Sequence, residues 1–171
     1  MTCVYSRENI EKMDVDIEIR TSDVISLVHK KTAYVGAKMV GDPNAYARIA
    51  TTEADEKFLV DAINEGCTLL YDVLQRYDPV ASVDETDVSV SLKMPNSYDT
   101  GVSLAVKDKL REFFSDYAVS AWFMTTNKAE AEVYRGAAVG QLTGLRVLLA
   151  ERKHPTRVKP VEVRRETTGY E

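Results

Sequence analysis

Between Gly101 and Arg152 the sequence holds two long apolar stripes at helical spacing with almost nothing between them, and no other feature restricts the fold as much. Val106, Leu110, Phe113, Phe114, Tyr117, Ala121 and Trp122 mark the first stripe, from about 101 to 125. Asn127-Lys128-Ala129-Glu130 then supplies an N-cap with an acid in the first turn. Tyr134, Ala138, Leu142, Leu145, Leu148, Leu149 and Arg152 carry the second stripe to the residue before Pro155. Two helices joined by so few residues double back on each other as an antiparallel hairpin. Phe113, Trp122 and Tyr134 are its expected core aromatics, with Trp122 buried between the hairpin and the strands described next.

Two further helices and two strands precede the hairpin. Met13 to Arg20 alternates apolar and charged residues without a break, and Asp87 to Met94 alternates apolar with polar residues until Pro95 ends the run. Both read as strands with one buried face, pairing with each other. A first helix is expected from Ser22 or Asp23, with Val24, Leu27, Val28, Lys31 and Val35 as its stripe, fading at Gly36 or Gly41 before the Asp42-Pro43-Asn44 turn. A second starts at Thr51 or Thr52, where Thr52-Glu53-Ala54-Asp55 resembles a capping box. Phe58, Leu59, Ala62, Ile63, Gly66, Cys67, Leu70, Val73, Leu74 and Tyr77 form its stripe, Asp78-Pro79 stops it, and residues 78–87 read as a polar loop. The fold class expected is mainly α: a four-helix bundle with a small two-stranded antiparallel β element over residues 1–155, followed by an extended basic C-terminal arm over 156–171.

The arm is set apart by composition. After Pro155, Thr156-Arg157-Val158-Lys159-Pro160-Val161-Glu162-Val163-Arg164-Arg165 cannot be helix across Pro160 and reads as extended. From Arg152 onward six basic residues face three acidic ones, a net +3; the whole chain carries −5, so residues 1–151 carry −8. Arg157, Val158, Lys159, Val161, Val163, Arg164 and Arg165 are therefore candidate partner-binding residues, docking on an acidic protein surface or adding a strand to a sheet edge. A nucleic-acid arm would be denser in Lys and Arg or interleaved with stacking aromatics, and here only Tyr170 is aromatic. An acidic body disfavours tight binding to phosphates.

Gly136, Gly140 and Gly144 recur every four residues in the last helix, so they share a face. Each costs about 1 kcal/mol relative to alanine in a helix interior, which points to close helix packing as the return. Two readings are open: a crossing with the second or third helix inside the domain, the commoner arrangement, or a contact between subunits.

Residues with the chemistry of catalysis are sparse. There is no glycine-rich phosphate loop, no His-Glu-x-x-His and no Gly-x-Ser-x-Gly. His29, on an expected exposed helix flank, and His154, in the basic tail, have no acid or nucleophile spaced to work with them. Glu130 and Glu132, two apart on a helix, diverge. Asp14, Asp16 and Glu18 line one strand face, where alternation alone puts charge. Cys3 and Cys67 fit no metal spacing, and Cys67 reads as a small buried hydrophobe in a reducing, intracellular setting. The expectation is no catalytic residue, no metal and no cofactor. No apolar run approaches the roughly 18 residues of a membrane span, and the polar N-terminus does not read as a signal peptide. Hydrophobic residues at 44% and charged residues at 29% exclude a disordered chain.

Thr32-Ala33-Tyr34-Val35-Gly36-Ala37-Lys38-Met39, Ala45-Tyr46-Ala47-Arg48-Ile49 and Thr51-Thr52-Glu53-Ala54-Asp55-Glu56 resemble a group of small virion proteins from the structural gene blocks of tailed phages and prophages of gut bacteria. Trp122, Tyr134 and the run Leu148 to Arg157 fit the same pattern, so the resemblance covers roughly residues 20–160. It implies a non-enzymatic head–tail adaptor of the phage neck, made in the host bacterial cytoplasm and built into the virion. Such adaptors form a homo-oligomeric ring beneath the portal, with a terminal extension docked on the portal and other neck or tail proteins as neighbours. DNA passes through without sequence-specific binding, which suits an acidic body. No residue-level motif separates an adaptor from a stopper or tail-completion protein. From a different class, a standalone helical-bundle regulator or small-molecule binder fits the same composition, and differs in having no need of the arm.

Overall fold

The alternation at residues 13–20 becomes strand β1 (Lys12–Arg20), with Val15, Ile17 and Ile19 turned inward and the charged residues outward. The computed structural model describes residues 12–39 and 44–153. Helix α1 (Thr21–Lys38) leaves β1 directly. Ser22 and Asp23 are not its caps; Thr21 anchors the junction instead, its N–H donating to Thr86 O (2.9 Å) and its hydroxyl to Asp84 O (3.0 Å). Then come the short α2 (Ala45–Ile49), α3 (Glu56–Leu74), β2 (Val80–Val83), β3 (Asp87–Pro95), α4 (Ser103–Thr126) and α5 (Lys128–Ala150). The described residues are thus mainly helical, with four long helices and a three-stranded antiparallel sheet.

β1 and β3 pair antiparallel in one register from Lys12 opposite Pro95 to Arg20 opposite Asp87. The expected two-stranded element is corrected by β2, which pairs along the other side of β3 and gives the order β1-β3-β2. β2 lies inside the stretch expected as a polar loop, because Val80-Ala81-Ser82-Val83 is too short and too mixed to show a period. Its pairing depends on the turn that follows: Asp84 Oδ1 accepts from the N–H groups of Thr86 (2.9 Å) and Asp87 (2.7 Å). The Asp87 N–H first, then the groups of Thr86, hold the Asp84 carboxyl below its usual range.

The Thr52 box is present, with Thr52 N–H donating to Asp55 Oδ2 (2.8 Å), and it caps a 3-10 turn that feeds α3. α3 runs on into a 3-10 turn (Gln75–Tyr77), which ends where Asp78 takes a left-handed backbone (φ 47°), a conformation aspartate tolerates better than most residues. Gly66 lets α3 approach α4 closely: a Cβ there would lie 3.2 Å from the Tyr117 ring. α4 and α5 form the expected hairpin, hinged at Asn127, whose side chain accepts from Glu130 N–H (3.4 Å). α5 ends at Ala150 rather than just before Pro155. Glu151 is extended, and Arg152 bridges to Tyr98.

The core gathers the inner faces of β1 and β3 with Val24 and Val28 of α1, Leu59, Ile63 and Leu70 of α3, Phe113 and Phe114 of α4, and Leu142 and Leu145 of α5. Phe113 is fully buried, as expected. Trp122 is not placed against the strands and is only half-buried. It sits near the end of α4, donates from Nε1 to Ile49 O (2.8 Å) and meets Phe58 edge-on at 5.8 Å. Its indole N–H needs a partner, and the last carbonyl of α2 supplies one. Tyr134 is likewise half-buried, 5.7 Å from the Phe123 ring. Phe58, expected in the α3 stripe, is exposed, and on α1 Ile25 and Thr32 are buried while Leu27 is half-buried.

Candidate functional site

The most highly charged interior point joins α1 to α4. Lys31 Nζ lies 2.8 Å from Glu112 Oε2, 2.6 Å from Asp116 Oδ1 and 2.6 Å from Ser115 Oγ. Burial alone would lower the Lys31 pKa, but the hydrogen bonds it donates to Asp116 and then Glu112 outweigh it and hold the ammonium above the usual lysine value. Asp116 is pushed up by burial, against the pull of Lys31, because one ammonium serves two carboxylates and Asp116 is the drier of them. Three polar groups closed around one ammonium leave no open position for a substrate, so the cluster works as a polar clamp between helices. Lys31 was expected only to lay its stem along apolar surface; its head is the reason for its place.

His29 is not on an exposed flank. It is half-buried, with Nδ1 2.8 Å from Thr51 Oγ1, and Thr32 Oγ1 lies 2.9 Å from the same hydroxyl. This ties α1 to the chain before α3. Cys67 is buried on α3 and burial pushes its thiol up to about 11, which makes it unreactive at neutral pH. Glu130 and Glu132 point different ways on α5, one half-buried and one exposed. Among the described residues no group of three or more His, Cys, Asp or Glu is arranged to hold a metal ion, and no helix is long and apolar enough to cross a membrane. Cys3 and His154 lie outside the described residues.

The glycine stripe corrects one expectation. Among the described residues nothing lies within 4 Å of a Cβ built on Gly136 or Gly140, and Gly144 meets the flexible side chain of Lys109 at 3.5 Å. No described helix crosses close to Gly136 or Gly140. The leucines of α5 sit on its opposite side and take the hairpin contact, which turns the glycines outward. With Val133 (64% exposed), Thr143 and Val147 (63% exposed) they form a charge-free outer stripe along the helix. Beside its C-terminal end, Val73, Tyr77, Arg76, Arg146, Val147 and Ala150 line a shallow groove between α3 and α5 of about 440 Å³.

The two edges of the sheet differ. Tyr71 covers β2, its hydroxyl accepting from Ala81 N–H (2.9 Å) and donating to Ala81 O (3.4 Å). β1 is a nine-residue edge, and no described residue other than those of β3 pairs with its main chain. Asp16, Ile17 and Glu18 of β1 line a groove there with Ser103, Leu104 and Lys107 at the start of α4. On the outer face Asp14 lies opposite Lys93 and Arg20 opposite Asp87, but Asp16 and Glu18 lie opposite serines. Alternation in β1 places the carboxylates on the outer face; it does not tell which edge the strand occupies.

The candidate arm residues Arg157, Val158, Lys159, Val161, Val163, Arg164 and Arg165 lie outside the described residues. What the described part offers a partner is surface: one open helix face and one open strand edge. Searches of protein-family models, of curated proteins and of solved structures find no match to this chain.

Proposed function

We propose that this chain is a non-catalytic structural subunit of a phage neck, a head–tail adaptor that assembles as a ring between portal and tail and lets DNA pass. In this reading the four long helices act as one bundle, the outer face of α5 packs on a neighbouring subunit, and residues 156–171 reach a further partner. The observation that carries it is the outer stripe of α5. Glycine in a helix interior costs stability, and among the described residues nothing packs on Gly136 or Gly140 to repay it. A second backbone brought close to the helix would repay it. The resemblance of residues 20–160 to small phage virion proteins supplies the setting, and the negative charge of residues 1–151 suits a passage for DNA.

Inspection of the neighbouring genes, and sedimentation velocity of the full chain, alone and co-expressed with any portal protein found among them, test the reading. The expected result is a closed oligomer or a portal-bound ring. A monomer under both conditions at every concentration sinks it, and so does a gene neighbourhood without portal, terminase or capsid genes.

A further inference from the structure

We infer that the open edge of β1 is the receptor for residues 156–165 of a second copy of this chain, which add to the sheet as a fourth, antiparallel strand. The inference rests on the self-assembling part of the function proposed above, not on the portal or the tail.

An uncovered edge strand invites unwanted pairing, and proteins blunt such edges with short strands, covering side chains or charge. β2 is blunted twice, by its four-residue length and by Tyr71 on Ala81. β1 has nine residues and no such cover among the described residues. Its protection is charge alone, since Asp14, Asp16 and Glu18 repel another acidic strand. The same charge admits a basic one. Asp14 already faces Lys93, so the demand falls on Asp16 and Glu18, which have only serines opposite. Leu104, 72% exposed, stands over this edge as an apolar wall.

The arm carries the complement. On an extended chain Arg157, Lys159 and Arg165 share one side with Val161 and Val163 and bring positive charge to the carboxylates. Val158 and Glu162 fall on the other side, where Val158 suits Leu104 and Glu162, the single acid in this run, suits Lys107.

Direction favours a second copy over the chain's own tail. Lys153 N–H donates to Ser97 O (2.9 Å), close to Pro95, which pairs with Lys12 at the start of β1. A tail leaving from that end runs along its own β1 only in the parallel sense. A second copy's tail can enter antiparallel, the sense of both existing pairings, and antiparallel ladders are the more stable.

The test uses the full chain with Cys3→Ser, leaving the buried Cys67 in place. Chains carrying Leu104→Cys are mixed with differently tagged chains carrying Val158→Cys and oxidised. A disulfide between the two chains is expected. It should fall several-fold when the first chain also carries Asp16→Lys and Glu18→Lys, and recover when the second carries Arg157→Glu and Lys159→Glu. Equal linking to Val133→Cys on the far face of α5 overturns the proposal. So does a link that forms only inside one chain bearing both cysteines, and so does no link. The two readings fail separately: interchain linking without any ring leaves this edge pairing standing and sinks the neck assignment, while a ring whose tails link elsewhere does the reverse.

Discussion

Along the inner side of α5, Ala138, Leu142, Leu145 and Leu149 are shut against the rest of the domain, whereas along its outer side Val133, Gly136, Gly140 and Val147 stand open to solvent. Neither side carries charge along its centre, so hydropathy does not separate them. Size does. The inner stripe is mostly leucine, which fills space at the short distance of a hairpin. The outer stripe is glycine with scattered valine, which fills little and leaves the backbone approachable. One helix thus presents a filled face and an open one.

That contrast is testable from its strong end. Phe113→Ala removes a fully buried ring that faces the hairpin interior and should destabilise the full chain by about 3–5 kcal/mol, read as a shift in urea midpoint at unchanged slope. Val133→Ala on the outer face, where 64% of the side chain is already exposed, should change stability by no more than about 0.5 kcal/mol. Comparable effects at the two sites would mean that the outer face is buried within the folded chain after all.

The clamp between α1 and α4 is a third kind of face. Lys31→Met keeps the stem but takes the ammonium from Asp116, at a cost of about 2–3 kcal/mol near neutral pH. The sign with pH follows from Asp116. Its folded pKa is already raised by burial and rises further once the ammonium is gone. A carboxyl whose folded pKa exceeds its unfolded one loses stability as pH rises and regains it as pH falls. The deficit of Lys31→Met relative to the parent chain should therefore shrink toward acid pH. A deficit constant from neutral pH down to the carboxylate range would show that Asp116 is not the group left stranded.

Trp122 stands between the extremes, half-buried with one hydrogen bond. Trp122→Ala should cost about 2 kcal/mol, the sum of partial burial and the lost bond to Ile49 O, and Trp122→Phe, which keeps most of the ring, should recover about half of it. A loss as large as that of Phe113→Ala would return Trp122 to the deep core where its helical spacing first placed it.

Much of this architecture is legible in the residues. The stripes of α3, α4 and α5, the Asn127 hinge and the capping box at Thr52 follow from spacing and local hydrogen-bonding chemistry, which act over a few residues. β1 and β3 follow from unbroken alternation. The misses need the third dimension. β2 is held by its neighbour rather than by its own pattern, and α2 is too short to show a period. Lys31 is a helix residue until Glu112 and Asp116, some eighty positions away, are brought to it. The glycines reveal their common face at once but not which way it looks, because that depends on which side of α5 the rest of the domain takes. The same holds for β1: alternation gives its two faces, and only the strand order gives its free edge.

The outer glycines bear most directly on the two sides of α5, because the sign of their effect reverses between the free and assembled chain. Gly136→Ala and Gly140→Ala each add one methyl where, among the described residues, no other part of the fold lies within 4 Å. In the dilute, unassembled chain nothing resists that methyl, and the helix gains up to about 1 kcal/mol per site from the lower conformational freedom of alanine. In an assembly that uses these glycines for close approach, the same methyls hold the partner helix away, and Gly140→Leu holds it further. The outer face then predicts opposite responses: a higher melting temperature for the double alanine variant at low concentration, together with weaker association by sedimentation, and a further loss of association for Gly140→Leu. Leu145→Ala, on the inner face, should instead lower stability at any concentration. If the double alanine variant is stabilised and still associates as the parent does, the outer stripe is only an exposed helix surface, and the proposed ring loses the contact that argues for it.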